Sequence, residues 1–308
     1  MSAVPVKARG RFFDTFINIT AYGASKELLK EAFALCSEYN SALSRFEKGS
    51  DVWLLNSSNG KAVTVGPDTA EIIKTALEIS RLTGGAFDIS IGSASSLWNF
   101  TDGKEQLPDE AALEKAAASA NYESIVCKGS SAVLAPGQKI DLGGIAKGYI
   151  AGEIAAHLKD NGVESAILDF GGDIVTIGSK PDGTPWSVGL RRPFAEDPDE
   201  IWAILPSSDE ATVTSGTDRR GFVREGVWQH HILDRRTGRP VVNDLLSVTV
   251  CADDPMRADA LATAFFVLGE QDGPPLAHEL GVGAVFLKND GSAVCTPDIV
   301  ERLRIVKK

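Results

Sequence analysis

The sequence has little cysteine, little histidine and no long apolar run. Its four cysteines lie far apart, and neither they nor the four histidines have the spacing of a zinc site. Scattered thiols in apolar surroundings are typical of reduced core residues rather than of a disulfide framework. No segment approaches the roughly 20 apolar residues that span a membrane, so we expect no membrane insertion. The N-terminal segment has no signal peptide or lipobox, which predicts a cytoplasmic location and leaves open an exported form trimmed of its leader.

The sequence also has fewer basic than acidic residues. Lysine and arginine together number 31 against 42 acidic residues, a formal net charge of −11. This excess of negative charge disfavours sequence-independent binding to nucleic acid or to anionic membranes, although it permits a local phosphate site. Low-complexity tracts and internal repeats are absent from the sequence, so we expect one domain over residues 1–308.

Hydrophobic periodicity predicts an alternation of strands and helices, and hence a mixed α/β (α+β) fold with antiparallel strands. Helices are predicted at residues 25–43, 67–82, 109–120, up to 157, and 256–268, with a shorter helix after the last. Strands are predicted at residues 12–22, 124–128, 132–135, 166–170, 186–190, 201–205, 211–215, 229–234 and 247–251, with a terminal hairpin at 284–296. Ser25 is the expected N-cap of the first helix.

The segment at residues 140–149, Ile-Asp-Leu-Gly-Gly-Ile-Ala-Lys-Gly-Tyr, joins a predicted strand to a helix through two glycines. Its spacing fits neither a dinucleotide fingerprint nor a P-loop. A helix N-terminus next to Gly143 and Gly144, with the charge of Lys147 one turn later, is nevertheless suited to binding a phosphate. The alternative is an ordinary turn, which is the more frequent meaning of such a junction.

Two further groups carry candidate chemistry. Asp259 and Thr263 lie four residues apart on a predicted helix, so a carboxylate and a hydroxyl share one face and could hold Mg²⁺; a helix-start Asp with a back-bonded Thr is the alternative. His230 and His231 are adjacent in a predicted strand, which sends them to opposite faces. One of them could act as a general base, or it could simply satisfy a strand edge.

Several motifs occur together in an order that resembles the ApbE family of FAD:protein FMN transferases. The resemblance extends from about residue 12 to residue 286 and implies that family's α/β fold, built from T-fold-like halves. The motifs that carry it are Ala86-Phe87-Asp88, Asp141-Leu142-Gly143-Gly144-Ile145-Ala146-Lys147-Gly148, Gly171-Gly172-Asp173, Thr214-Ser215-Gly216, His231-Ile232-Leu233-Asp234 with Thr237-Gly238, and Ala258-Asp259-Ala260-Leu261-Ala262-Thr263-Ala264.

The resemblance also implies roles for individual residues. The carbonyl of Gly144 would hold Mg²⁺ together with Asp259 and Thr263, and His231 would be the base, so His231 and Asp259 are the expected catalytic residues. The FAD contacts implied in the same way are Phe46, Ala86, Phe87, Asp88, Asp141, Lys147 and Ile232. The implied reaction transfers FMN from FAD to a Thr or Ser hydroxyl of an acceptor protein and releases AMP.

Some positions depart from the family pattern, and two other functions stay open. Phe13-Asp14-Thr15 stands where relatives often have Met-Gly-Thr, which leaves a flavin contact from Phe13 uncertain. An FAD pyrophosphatase would use the same site with water in place of the acceptor hydroxyl. A flavin-binding protein without catalysis would bind the flavin in this pocket and would not cleave FAD. The chain has no convincing acceptor motif of its own, so the acceptor is expected to be another protein.

Overall fold

The computed structural model describes residues 4–100 and 104–306. Residues 1–3, which begin the segment used for the leader expectation, lie outside this description. The strands are, in chain order, β1 (Val6–Phe12), β2 (Thr15–Tyr22), β3 (Val63–Thr64), β4 (Val126–Lys128), β5 (Ser131–Val133), β6 (Ser165–Phe170), β7 (Ile174–Ile177), β8 (Trp186–Arg191), β9 (Ile201–Ser207), β10 (Ala211–Gly216), β11 (Gly221–Arg224), β12 (Val227–His230), β13 (Leu245–Ala252), β14 (Gly283–Lys288), β15 (Ala293–Cys295) and β16 (Arg304–Ile305).

Eight α-helices accompany these strands in the described part of the chain, with two short 3₁₀ helices at Ile89–Ile91 and Tyr122–Ser124. The α-helices are α1 (Lys26–Leu43), α2 (Asp51–Ser57), α3 (Pro67–Leu82), α4 (Gly92–Ser95), α5 (Glu110–Ala118), α6 (Ala146–Asp160), α7 (Pro255–Glu279) and α8 (Pro297–Arg302). The side chain of Ser25 accepts a hydrogen bond from the Leu28 N–H and caps α1, as the sequence predicts. Helix α7 is interrupted at Gly269, where φ is 78°, which divides it near the predicted boundary. None of the described helices is long and apolar enough to cross a bilayer.

One large sheet organises the structure, with the strand order β1-β2-β6-β7-β10-β13-β14-β15. Every neighbouring pair is antiparallel, which confirms the mixed fold with antiparallel strands. Helix α7 packs on β10 and β13 and against α6, which in turn contacts α1. A small sheet of β8, β9 and β16 packs with β13 and β14 around a second apolar cluster that includes Leu190, Trp202 and Leu287. The central strands are therefore covered by protein, and Ser215 of β10 lies beside Thr263 of α7.

The structure differs from the sequence prediction in several places. The predicted strand at residues 12–22 is found as β2 but begins only at Thr15, because Phe13 and Asp14 adopt φ values of 53° and 58° and reverse the chain between β1 and β2. Helix α2 was not predicted; Ser50 caps it by accepting from the Trp53 N–H. The predicted strand at 229–234 ends at His230, and the chain then leaves the ladder.

Candidate active site

Helices α6 and α7 cross at a glycine. A Cβ atom at Gly148 would clash with the Pro255 carbonyl and lie 2.7 Å from the Cβ of Asp259. The backbone N–H of Gly148 donates a hydrogen bond of 3.0 Å to Oδ2 of Asp259. The sequence predicts that the free N–H groups of this helix end face a phosphate; the structure shows that one of them binds a carboxylate of the chain itself. The crossing therefore fixes Asp259 against the first turn of α6.

The expected metal ligands meet at this crossing. A Cβ atom at Gly144 would lie 3.2 Å from Oγ1 of Thr263 and 3.3 Å from the ring of Phe87, so the absence of a side chain at Gly144 leaves room beside the Thr263 hydroxyl. That hydroxyl lies 3.1 Å from the Ser215 hydroxyl. The hydrogen bonds of the described residues engage only Oδ2 of Asp259, which leaves Oδ1 for a cation. These oxygen donors fit Mg²⁺, which takes few protein ligands and keeps water or substrate phosphate.

Among residues 4–100 and 104–306, no group of three or more His, Cys, Asp and Glu side chains is arranged to hold a metal ion. A metal here would therefore depend on a single direct carboxylate, a hydroxyl, a carbonyl and the substrate. Such a site would bind the ion weakly in the absence of a phosphate ligand.

Lys147 forms an ion pair with Asp173, a residue to which the sequence analysis assigned no role. Burial disfavours the charged ammonium, but Asp173 and Asp259 more than offset this effect and raise the pKa of Lys147. Burial raises the pKa of Asp259, and the attraction of Lys147 opposes it. One ammonium between two buried carboxylates leaves surplus negative charge, which favours the binding of a cation beside Asp259.

The two adjacent histidines have different roles. His230 is buried, its Nε2 lies 3.0 Å from the Val241 carbonyl, and its Nδ1 accepts from the Ile232 N–H. Both of its ring nitrogens are therefore engaged within the fold. His231 is exposed, and its Nδ1 lies 3.2 Å from the Arg220 carbonyl. Because a carbonyl only accepts, Nδ1 carries the proton and the lone pair of Nε2 is free.

The electrostatic surroundings keep His231 neutral. Desolvation by surrounding protein atoms disfavours the charged imidazolium and lowers the pKa of His231 to about 4. The positive charges of Arg220 and Lys147 act in the same direction. The side chain remains accessible to solvent, so a hydroxyl or a water molecule can reach it. Lys147 therefore lies near enough to disfavour the charged form of His231, which links the candidate base to the α6–α7 crossing.

Asp141 and Phe46 lie on the same edge of the site, joined by Arg45. The guanidinium of Arg45 lies 2.9 Å from the carboxylate of Asp141 and stacks over the ring of Phe46, 4.7 Å from its centroid. The Ser95 hydroxyl and the Gly143 N–H also donate to Asp141. The ring of Phe46 is 79% exposed, which suits a residue that would cover a flat ligand.

The remaining expected FAD contacts are Ala86, Phe87, Ile232 and Asp88. Ala86 is partly exposed, and Phe87 is buried beside Gly144. Ile232 belongs to the main core. Asp88 is buried; its Oδ1 accepts from the N–H and hydroxyl of Ser90, and its Oδ2 accepts from the Tyr122 N–H. Its carboxylate organises the loop, and burial raises its pKa.

Sequence reasoning assigned no role to five residues that contribute to the site, four through their side chains and Arg220 through its backbone carbonyl. They are Arg45, Ser95, Asp173, Ser215 and Arg220. Asp173 and Ser215 lie within motifs that the resemblance includes, and a carboxylate directly after two glycines was the available signal for Asp173. The signal for Arg45 was a cation directly before the ring of Phe46, whereas Ser95 and Arg220 are recognised only through contacts between distant parts of the chain.

Comparison with known proteins assigns the chain to a family. A model of the ApbE family matches residues 13–286. The chain belongs to the ApbE family. The family that the sequence motifs predict is therefore confirmed.

Several ApbE relatives cover almost the whole chain. A protein of Treponema pallidum named FAD:protein FMN transferase is 33% identical over 90% of this chain and 82% of its own length. A protein of Klebsiella pneumoniae with the same name is 32% identical over 94% of this chain and 90% of its own. The solved flavin transferase ApbE from Vibrio cholerae superposes with a TM-score of 0.87 at 29% identity, covering 97% of this chain and 99% of that one. The ApbE protein of Thermotoga maritima gives a TM-score of 0.89 at 28% identity, with the same shares covered.

Proposed function

We propose that this chain is an Mg²⁺-dependent FAD:protein FMN transferase that attaches FMN to a Thr or Ser hydroxyl of an acceptor protein and releases AMP. One observation carries the proposal: the α6–α7 crossing brings Asp259, Thr263 and the cradle at Gly144 to Lys147, and Lys147 acts electrostatically on His231. The names of the relatives supply the substrates.

In the proposed reaction, the hydroxyl oxygen of the acceptor bonds to the phosphorus of the FMN half of FAD. The bond from that phosphorus to the bridging oxygen breaks, and AMP leaves with the bridging oxygen. The proton of the hydroxyl passes to Nε2 of His231, the nitrogen that the Arg220 carbonyl leaves free. Transfer of this proton as the new bond forms is worth roughly 10² to 10⁴ in rate.

The other charged residues prepare the site for the pyrophosphate. Lys147 keeps a permanent positive charge there, because its two carboxylate neighbours hold it protonated. Asp259, Thr263 and the Gly144 carbonyl would hold Mg²⁺, which when bound neutralises phosphate oxygens and stabilises the leaving phosphate. Arg45 would position the ring of Phe46 over a flat portion of FAD.

Hydrolysis of FAD to FMN and AMP is a second candidate activity. The observation that favours it is the exposure of His231, since water can reach the same base when no acceptor is bound. Transfer and hydrolysis then differ only in whether the acceptor hydroxyl or a water molecule lies next to Nε2 of His231.

The test incubates the protein with FAD, Mg²⁺ and each of several purified flavoprotein domains, and follows the intact mass of every domain. We expect at least one domain to gain one FMN, on a Thr or Ser. The His231→Ala variant should lose this activity by roughly 10² to 10⁴, while His278→Ala, which alters an exposed histidine on α7, should retain it. If the wild-type protein cleaves no FAD with any divalent metal, with or without an acceptor, both enzymatic proposals are wrong.

A further inference from the structure

The segment that leads into Gly143 and Gly144 lies outside the described sheets. The sequence predicts a strand before these glycines, but residues 138–142 form no strand and join none of the described sheets. Ile140 is nevertheless fully buried, so its backbone N–H and carbonyl need partners within the protein. The groups that take the place of a neighbouring strand therefore decide where this segment lies.

Asn56, on α2, supplies these partners. Its Nδ2 donates a hydrogen bond of 2.9 Å to the Ile140 carbonyl, and its Oδ1 accepts one of 2.7 Å from the Ile140 N–H. Within residues 4–100 and 104–306, neither backbone group of Ile140 has another hydrogen-bond partner. A side-chain amide has both a donor and an acceptor, so it pairs with one residue as a neighbouring antiparallel strand would.

Helix α4 provides a second set of contacts to the same segment. The Lys139 N–H donates a hydrogen bond of 3.0 Å to the Ser93 hydroxyl. A Cβ atom at Gly92 would lie 2.4 Å from the carbonyl carbon of Ile140, so the two backbones touch and only a glycine fits. The segment is therefore held by side chains and backbone of α2 and α4, which are far from it in the chain.

Two expected contacts to substrate and metal follow Ile140 directly. Asp141 is the next residue, and its Oδ1 accepts a hydrogen bond of 3.0 Å from the Gly143 N–H. Gly144, whose carbonyl would hold Mg²⁺, comes immediately after this hydrogen-bonded turn. A displacement of Ile140 would therefore move Asp141 and the turn before Gly144 together.

We propose that Asn56 is a positioning residue of the active site: by holding the backbone of Ile140, it sets the position of Asp141 for FAD and of the Gly144 carbonyl for Mg²⁺. The inference rests on the proposed function, because that function assigns Asp141 to the substrate and Gly144 to the metal. Asn56 acts through Ile140 and takes no part in the chemical step.

The test compares Asn56→Ala with Asn161→Ala in the full chain. Asn161 caps the C-terminal end of α6, and its Nδ2 also donates to a backbone carbonyl at 2.9 Å, that of His157. Both variants therefore lose the same type of hydrogen bond. The affinity for FAD is measured in EDTA by quenching of flavin fluorescence, and the Mg²⁺ concentration for half-maximal FAD cleavage is measured separately.

We expect Asn56→Ala to weaken FAD binding about threefold or more and to raise the Mg²⁺ requirement about tenfold. Asn161→Ala should change each value less than about twofold, because its hydrogen bond lies at the end of α6 away from Lys147. Urea unfolding separates positioning from stability. A purely structural Asn56 would lower the urea midpoint and leave both values unchanged, since both are measured on folded protein.

Ser93→Ala is a second variant that reaches the same segment from α4. It removes the acceptor of the Lys139 N–H and leaves Asn56 in place. We expect it to weaken FAD binding and to raise the Mg²⁺ requirement in the same direction as Asn56→Ala. It also carries the test if Asn56→Ala does not fold.

Two results would overturn the positioning role of Asn56. FAD affinity and the Mg²⁺ requirement could stay at the wild-type values in Asn56→Ala, or Asn161→Ala could change them as strongly. A wild-type protein that binds FAD and cleaves none, with FAD weakened in Asn56→Ala and not in Asn161→Ala, would reject the proposed function and uphold the positioning of Asp141 by Asn56.

Discussion

One added methyl group at Gly148 tests the geometry of the α6–α7 crossing. In Gly148→Ala the new Cβ would meet the backbone of Pro255 and the Cβ of Asp259, neither of which can rotate away, so the helices must separate. Gly152, one turn later on the same helix, is the matched control, because its Cβ would lie 3.6 Å from the Pro255 ring, an ordinary contact.

The magnitudes follow from two opposing effects. Replacing a helical glycine by alanine stabilises a helix by about 0.8–1 kcal/mol, and both variants receive this gain. Overpacking costs about 1–3 kcal/mol and applies only to Gly148→Ala. We therefore expect the free energy of unfolding to rise by up to about 1 kcal/mol in Gly152→Ala, and that of Gly148→Ala to lie about 1–3 kcal/mol below it.

Activity should fall further than stability in Gly148→Ala. A displacement of about 1 Å at Asp259 is enough to lower the rate roughly 10²-fold. Urea unfolding followed by circular dichroism measures the first effect, and the initial rate of FAD cleavage with Mg²⁺ measures the second. If the two alanine variants have the same stability and the same rate, the helices are not held at the described distance and the account of the site is wrong.

Three further predictions address the charges and the metal. Lys147→Met should lower the free energy of unfolding by about 3–5 kcal/mol, because Asp173 is then a buried charge without its partner; a stability equal to wild type in urea would contradict this. Because the pKa of His231 is lowered to about 4, the neutral base persists as pH falls, and the inflection in kcat/KM that belongs to His231 should lie near 4; an inflection assigned to His231 near 6.5 would refute the environment described. Chelation should abolish activity, added Mg²⁺ should restore it, and Thr263→Ala should require about tenfold more Mg²⁺ for half-maximal rate, whereas an unchanged requirement would exclude Thr263 as a ligand.

The sequence predicts local features of this fold well where the residues concerned are neighbours in the chain. Ser25 caps α1, the helical spacing of Asp259 and Thr263 puts Asp259 beside Gly148 and Thr263 beside Gly144, and His230 is buried while His231 is exposed. Each of these depends on a local periodicity or on one turn of backbone. The Phe13-Asp14 turn escapes the same reasoning because it contains no glycine to mark the reversal.

Contacts between distant residues set the limit of the prediction. The pairs Lys147 with Asp173, Gly148 with Asp259, and Arg45 with Asp141 form only once the sheet and its helices have assembled. The sequence also does not reveal that Asp88, a carboxylate in a glycine-rich loop, accepts hydrogen bonds from Ser90 and Tyr122. A polar group that already has its hydrogen-bond partners within the chain is less available to a substrate. The contacts between distant residues therefore decide which polar groups remain for a substrate.

The ratio of AMP released to FMN bound tests the central claim most directly. The protein would be incubated with FAD, Mg²⁺ and an acceptor domain, AMP would be quantified by chromatography, and covalent FMN would be quantified by the intact mass of the acceptor. The account predicts one AMP for each FMN attached to a Thr or Ser, with both products lost together in His231→Ala. AMP accompanied by free FMN and an unmodified acceptor would contradict it and would identify the site as that of an FAD hydrolase.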